Sequence, residues 1–183
     1  MIAAWRLRQA ARVTRAGGVL AYPTEAVWGL GCDPFDPRAV LRVLALKGRP
    51  PDKGLIVLAA RYEQVAPLVR FPDPQIRERV LASWPGPVTW LLPVSPGVPP
   101  WLTGGRGTLA VRVTAHPVAA GLCRVAGPLV STSANPAGRP PARRALQVRK
   151  WFAGGIDLLV PGETGGERSP SRIIDAGSGR RLR

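Results

Sequence analysis

Residues 19–59 read VLAYPTEAVWGLGCDPFDPRAVLRVLALKGRPPDKGLIVLA, and the fold depends on the alternation within this stretch. It begins with a short apolar strand that Pro23 stops, and it ends with a buried strand over residues 55–59. Between them, Asp36 and Pro37 form the start signal of a helix, because aspartate caps the first turn and proline suits its first position. Strands and helices that alternate in this way predict an α/β domain.

The same alternation continues on both sides of this stretch. Further helices are predicted over residues 3–16, 61–70, 74–83, 116–125 and 142–152, and further strands over 88–92, 109–113, 128–131, 156–160 and 172–175. Several connections are short and run from strand to strand, so we expect a twisted, mixed sheet with flanking helices. No repeat or long linker divides the 183 residues, which predicts a single domain over residues 1–183.

Composition argues against several classes of protein. The chain is 45% hydrophobic, which argues against disorder, and no apolar run reaches the roughly 18 residues that a membrane span needs. Arginines interrupt the N-terminal segment, so it lacks the apolar centre of a secretion signal. Cys32 and Cys123 are too few for a disulfide scaffold, which predicts buried thiols in a cytoplasmic protein without a membrane partner.

The charge balance of the chain is strongly basic. It has 26 lysines and arginines against 11 acidic residues, a net charge of +15 and a pI near 11.7. Such a field predicts a nucleic-acid or nucleotide partner, although a compositional bias toward arginine explains part of the excess. The basic helix predicted over residues 142–152 fits either a nucleic-acid face or a solvated surface; its cations are Arg143, Arg144, Arg149 and Lys150.

Several familiar kinds of site are missing from the sequence. There is no Walker A pattern and no strand-linked glycine fingerprint, so neither a P-loop nor a dinucleotide site is expected. The one histidine, His116, precedes Pro117 and is more typical of a helix start than of a catalytic base. One histidine and two cysteines also argue against a stable His/Cys zinc site, so no protein metal site is predicted.

Two short polar segments stand at the ends of otherwise apolar elements: Lys47-Gly48-Arg49 after a helix, and Ser131–Asn135 after a strand. Two cations one residue apart suit phosphoryl oxygens, and small hydroxyl and amide side chains suit an oriented polar ligand. Each segment also has a structural alternative, because basic residues complement helix ends and Ser, Thr and Asn are common in turns. If Lys47 points toward the second segment, the two form one anion-binding site.

Two more positions are candidates for ligand binding. Thr24 and Glu25 follow the first strand directly, where open α/β sheets bind ligands, and they could bind an amino acid or a ribose. Arg112 lies inside the predicted strand 109–113, where a charge faces either solvent or an anion, and a carboxylate is the natural partner of its guanidinium.

These segments, taken in order, resemble the YrdC-like family, most closely its short single-domain bacterial members. Each motif alone is weak, but the ordered set is specific and covers nearly the whole chain. The matching segments are residues 21–34 (AYPTEAVWGLGCDP), 47–50 (KGRP), 52–56 (DKGLI), 84–89 (WPGPVT), 109–113 (LAVRV), 131–135 (STSAN) and 161–166 (PGETGG), followed by Pro170 and Ser171.

The resemblance implies a twisted α/β fold around a large basic cavity. It also implies a nucleotidyltransferase that converts L-threonine, bicarbonate and ATP, with Mg2+ carried on the phosphates, into threonylcarbamoyl-AMP and pyrophosphate. The product would serve the t6A modification of tRNA through other proteins of that pathway, with tRNA itself as a further partner.

The resemblance also implies roles for individual residues. Lys47 and Arg49 would bind the triphosphate and stabilise the charge that develops on it, which makes them the catalytic pair. The implied nucleotide contacts are Thr108, Ser133 and Asn135 in addition to that pair. The implied threonine contacts are Thr24, Arg112, Ser131 and Ser171, with Arg112 bound to the carboxylate.

The chain also departs from the longer members of this family. Those carry a histidine where this chain has Leu58-Ala59-Ala60, a serine-rich segment where it has Pro140-Pro141, and a linker that closes the site. Closure is therefore expected from residues 162–170 or from the tail through Arg183. Two alternatives stay open: an RNA-binding or ribosome-assembly module on the same fold, and the carbamoyl-adenylate domain of hydrogenase maturation factors.

Overall fold

The computed structural model describes residues 2–183, and its strands form one eight-stranded sheet. The strands are β1 (Leu20–Pro23), β2 (Trp28–Gly31), β3 (Ile56–Ala59), β4 (Val88–Pro93), β5 (Thr108–Val113), β6 (Leu129–Ser133), β7 (Leu158–Leu159) and β8 (Arg172–Asp175). The helices are α1 (Ala4–Arg15), α2 (Pro37–Lys47), α3 (Pro74–Ala82), α4 (Pro100–Thr103), α5 (Pro117–Ala126) and α6 (Ala145–Phe152). No helix within residues 2–183 has the length and apolar character needed to span a bilayer.

The sheet is mixed, as the short connections predict. Its strand order is β7-β1-β2-β6-β3-β5-β4-β8. The pairs β1–β7, β3–β5 and β4–β8 are parallel, whereas β1–β2, β2–β6, β3–β6 and β4–β5 are antiparallel. The central strands β6, β3 and β5 are therefore neighbours although they are far apart in the chain.

Local signals place most helix ends where the sequence predicts them. The Asp36 carboxylate accepts hydrogen bonds from the backbone N–H groups of Arg38 and Ala39 at 2.9 and 3.2 Å and so caps α2. Gly48 ends the same helix in the left-handed conformation with φ 58°. His116 caps α5, which confirms its interpretation as a helix-start residue.

Three local predictions are wrong. Residues 61–70 form two 3-10 turns, Tyr62–Gln64 and Ala66–Leu68, because Pro67 has no N–H to continue a helix. No strand is predicted over residues 28–31, yet β2 forms there: its two glycines weaken the strand signal, but pairing with β1 and β6 overrides that weakness. Residues 131–133 belong to β6 itself rather than to a loop that follows it.

The two faces of the sheet carry different cores. The larger core includes Val57 and Val111 and packs against α2 and α6. The smaller core includes Leu58 and Leu129 and packs against α1 and α5. Since side chains alternate across a strand, Ser131 shares the second face with Leu129, beyond the area that α1 and α5 cover.

Gly104 is required at the C-terminus of α4, and its replacement by alanine is expected to cost about 2–4 kcal/mol of unfolding free energy. Its φ is 65°, and a Cβ there would lie 2.7 Å from both the Asp52 carbonyl carbon and the Gly54 nitrogen. Gly105→Ala is the matched control, since Gly105 also has positive φ (77°) but nothing within 4 Å of the added Cβ. Chemical denaturation of both variants separates the contact from the backbone strain; equal losses would contradict the contact argument.

Candidate active site

A cavity of about 270 Å³ opens on the second face of the sheet, beyond α1 and α5. Its wall is rich in cations and hydroxyl groups. The polar side chains that line it are Thr24, Glu25, Arg49, Lys53, Thr103, Arg106, Thr108, Arg112, Ser131, Thr132, Ser133, Ser169, Ser171 and Arg183. Among residues 2–183, Glu25 is the one acidic residue in this lining, so the cavity favours an anionic ligand.

The cavity brings together most of the residues that the sequence singled out. Those that line it are Thr24, Arg49, Thr108, Arg112, Ser131, Ser133 and Ser171. Lys47 and Asn135 are not part of the lining and lie behind it. Arg106 and Arg183 complete the cationic wall. No sequence motif pointed to Arg106, and Arg183 was expected only as part of the closing tail. The one local signal for Arg106 is its position two residues before Thr108.

Strand β5 contributes to the cavity by simple alternation. Thr108, Ala110 and Arg112 all line the cavity, whereas Leu109 and Val111 are buried in the larger core. Arg112 is only 6% exposed, so most of its side chain is buried in the cavity wall.

The Lys47 side chain points toward residues 133–135, so the two polar segments do converge. Its ammonium donates to the carbonyl oxygens of Ser133 and Asn135, the latter at 2.9 Å, and to the Asn135 Oδ1 at 3.1 Å. The Ser133 hydroxyl donates to the same Oδ1 at 2.7 Å. Each of the three N–H donors of the Lys47 ammonium thus has an oxygen acceptor. Burial and the charge of Arg49 lower the pKa of Lys47 to about 8.

Arg49 is held by backbone oxygens at one edge of the cavity. Its Nη2 donates to the carbonyls of Lys53 and Gly54 at 3.1 and 2.9 Å. Its Nε is buried and has no acceptor among residues 2–183. Burial and the charge of Arg106 lower the pKa of Arg49, while Asp52 acts in the opposite direction. Both arginines line the same cavity.

Two of the hydroxyls predicted to bind threonine already have partners. The Thr24 hydroxyl donates to the carbonyl of Val27 at 2.7 Å, within the turn that joins β1 and β2. The Ser171 hydroxyl is 2.8 Å from that of Thr89, and the Arg183 guanidinium donates to the Ser171 carbonyl at 3.1 and 3.2 Å. Both serine and threonine oxygens keep a lone pair for a ligand.

Glu25 and Arg112 form a buried ion pair in the cavity wall. The Glu25 Oε2 lies 3.2 Å from the Arg112 Nη2, an ion pair without hydrogen-bond geometry. The other oxygen, Oε1, accepts from the Thr114 hydroxyl at 2.7 Å and from the Ala115 N–H at 3.1 Å. Burial acts to raise the pKa of Glu25, but these partners outweigh it and hold the pKa below its usual range.

Backbone hydrogen bonds hold the loop of residues 162–170 at one edge of the cavity. The N–H groups of Gly165 and Glu167 donate to the carbonyls of Thr24 and Glu25 at 3.0 and 2.9 Å. The His116 Nε2–H donates to the Glu163 carbonyl at 3.0 Å, and burial lowers the pKa of this imidazole. These contacts fit the expectation that this loop closes the site.

The C-terminal tail also contributes to the cavity wall, through Leu182 and Arg183. The Leu182 N–H donates to the Ile173 carbonyl at 2.8 Å, and the Ile173 N–H donates to the Arg183 carbonyl at 3.1 Å, so the tail runs alongside β8. Burial and the charges of Arg112 and Arg49, which line the same cavity, lower the pKa of Arg183. Both segments predicted to close the site, residues 162–170 and the tail, therefore contribute residues to the cavity lining.

A family model described as telomere recombination, covering the Sua5, YciO and YrdC proteins, matches residues 12–183. The chain is 57% identical over 180 residues to a threonylcarbamoyl-AMP synthase of Halorhodospira halophila, covering 98% of this chain and 94% of that protein. It is 56% identical over 180 residues to the protein of the same name from Nitrosococcus oceani, covering 98% and 97%. Among solved structures, P. abyssi Sua5 complexed with L-threonine superposes with a TM-score of 0.90 at 38% identity, covering 96% of this chain and 52% of that chain.

Proposed function

Because the chain belongs to the family of the Sua5, YciO and YrdC proteins, we propose that it is a nucleotidyltransferase that makes threonylcarbamoyl-AMP. L-threonine, bicarbonate and ATP are its substrates, and pyrophosphate and water are the other products. Full-length relatives at 50–57% identity carry this activity in their names. The structural observation that carries the proposal is the cluster of Arg49, Arg106, Arg112 and Arg183 in one cavity.

The reaction needs cations in two places, and the cavity offers both. The amine of threonine and bicarbonate form a carbamate, which attacks the α-phosphorus of ATP while pyrophosphate leaves. Negative charge builds on the phosphoryl oxygens during this displacement. Arg49, Arg106 and Lys53 all line this cavity, where they can share that charge.

Arg112 suits the other anion, the carboxylate of threonine. It lines the cavity on the same face of the sheet as Ser131, and Ser171 lies in the same lining. An arginine inside a wall of small hydroxyls binds a carboxylate and a hydroxyl side chain in a fixed orientation. We therefore keep Thr24, Ser131 and Ser171 as the other threonine contacts, and Thr108 and Ser133 as nucleotide contacts. Lys47 and Asn135 lie outside the lining and are hydrogen-bonded to each other, so we propose that they support the cavity wall rather than contact the triphosphate.

The residues of the cavity indicate how the Mg2+ ion expected with ATP would be bound. Among residues 2–183, no group of three or more His, Cys, Asp or Glu side chains could hold an ion, and Glu25 is already paired with Arg112. This donor set fits a Mg2+ ion carried by the phosphates of ATP rather than by the protein. Bound there, the ion would neutralise phosphate charge alongside Arg49.

Pyrophosphate release tests the proposed function directly. The purified chain with ATP and Mg2+ is expected to release pyrophosphate only when threonine and bicarbonate are both present, because the carbamate is the nucleophile. Omission of either one is expected to reduce release to the background rate, and mass spectrometry of the complete mixture should detect threonylcarbamoyl-AMP. Release that persists without threonine would contradict the proposal.

A second property, RNA binding, is favoured by the exposed cations of α6 and by the net charge of +15. Arg143 and Arg144 directly before α6, and Arg149 and Lys150 within it, are all exposed. The Arg143 guanidinium also donates to the carbonyls of Glu167 and Arg168 in the closing loop. We propose tRNA and other t6A-pathway proteins as partners in the cytoplasm. Tight tRNA binding with a steep salt slope and no turnover would instead favour the binding module.

A further inference from the structure

Glu25 is a buried carboxylate in the wall of a cavity that is otherwise cationic. It is 8% exposed, and Arg112, its partner at 3.2 Å, is 6% exposed. Burying two charges is costly unless their geometry is well supported. Here the Thr114 hydroxyl and the Ala115 N–H fix one carboxylate oxygen, which leaves the other oxygen directed at Arg112.

Arg112 has few other partners to orient it. Within residues 2–183, Glu25 is the one carboxylate within 4.0 Å of its guanidinium, and its Nε has no hydrogen-bond acceptor. A guanidinium offers five N–H donors in a fixed plane, so a single fixed carboxylate at one edge sets the direction of the remaining donors. The nearby charge of Arg183 repels Arg112 and offers it no alternative anchor.

We propose that Glu25 is a positioning residue that holds the guanidinium of Arg112 in the orientation that receives the carboxylate of threonine. In this arrangement the Thr114 hydroxyl orients the Glu25 carboxylate, the Glu25 carboxylate orients the Arg112 guanidinium, and the guanidinium binds the substrate carboxylate. This inference rests on the proposed function, since it assumes that threonine is the ligand of Arg112. Glu25 itself does not touch the substrate in this arrangement.

A purely structural role is the main competitor of this proposal. The Glu25 carbonyl also accepts from the Glu167 N–H of the closing loop, so a general disturbance at this residue would affect both substrates. A positioning role predicts a selective effect on ligands that carry a carboxylate. The experiment therefore compares L-threonine with L-threoninamide, which lacks the carboxylate, and with ATP.

Glu25→Gln is the test variant, because it keeps the shape of the side chain and removes the charge. The Kd of threonine, measured by calorimetry, is expected to rise about 10- to 100-fold, while the Kd of threoninamide and the KM for ATP stay within about twofold. Glu167→Gln is the matched control: it removes an exposed carboxylate from the loop bonded to Glu25 and is expected to leave all three values unchanged.

Thr114→Val provides a second variant that leaves the charge in place. It removes the hydrogen bond that orients the Glu25 carboxylate, and it is expected to raise the Kd of threonine in the same selective manner but by less. If Glu25→Gln does not fold, Thr114→Val decides the question alone. Equal losses for threonine, threoninamide and ATP, or no loss at all, would overturn the positioning role. Failure of the wild-type chain to bind threonine would instead reject the proposed function, so the two failures are distinguishable.

Discussion

Arg49→Ala is expected to reduce the rate of pyrophosphate release by about 10²- to 10³-fold, mainly through kcat. Arg49 is fixed at the cavity edge by the carbonyls of Lys53 and Gly54, and it lies beside Arg106. A preorganised cation at this place stabilises the charge that develops on the phosphoryl oxygens and needs no rearrangement during the reaction. A continuous assay for pyrophosphate under saturating ATP, threonine and bicarbonate measures the effect.

Two further variants serve as controls for Arg49→Ala. Arg49→Lys keeps the charge but loses the planar fork, so it is expected to recover only part of the rate. Arg61→Ala removes an arginine whose side chain is 74% exposed and is paired only at 3.9 Å with Glu63, so it is expected to behave like the wild type. Turnover of Arg49→Ala within about threefold of the wild type would contradict a role at the phosphates.

Lys47→Met is expected to reduce both activity and stability. The variant removes the Lys47 donor from three oxygens, and the Asn135 carbonyl then loses its one side-chain donor. The Asn135 Oδ1 keeps the Ser133 hydroxyl, and the Ser133 carbonyl keeps the Asn135 N–H, so the expected cost is about 1–3 kcal/mol of unfolding free energy. Because these groups form the wall that presents Ser133 to the cavity, the KM for ATP is expected to rise as well. Chemical denaturation and steady-state kinetics check the two effects separately.

The lowered pKa of Lys47 also predicts how the unfolding free energy and the activity change with pH. Its pKa of about 8 in the folded chain lies below its ordinary value of 10.5, so between these values the unfolded chain binds more protons than the folded chain. The unfolding free energy therefore rises with pH in this window, and the cost of burying the charge is fully present below about pH 8. Activity is expected to fall over the same window, because a neutral amine binds the three oxygens less strongly.

Lys47→Met is expected to abolish both trends, which isolates Lys47 from other groups that titrate at high pH. As the pH rises from 8 to 10.5, the unfolding free energy of the wild type is expected to increase relative to that of the variant. A difference that is flat across this range would show that Lys47 keeps an ordinary pKa and is not buried as the structure has it.

The sequence predicted most of the elements because their signals are local. The Asp36 cap contacts residues two and three positions away, and Gly48 ends α2 through its own backbone conformation. The family resemblance rests on ordered short motifs, and it assigned roles to seven of the fourteen polar residues that line the cavity. Strand β2 was missed because its glycines carry no local strand preference; its two neighbours stabilise it.

By itself, the sequence determined most of the helices and strands, and it singled out the short polar motifs that we propose carry the chemistry. Tertiary structure alone decided how those motifs are used. Lys47 meets Asn135 across 88 positions of sequence, and Glu25 meets the hydroxyl of Thr114 across 89. Such contacts form only when β6, β3 and β5 become neighbours in one sheet, and the desolvation and repulsion that follow depend on distances that no local pattern contains.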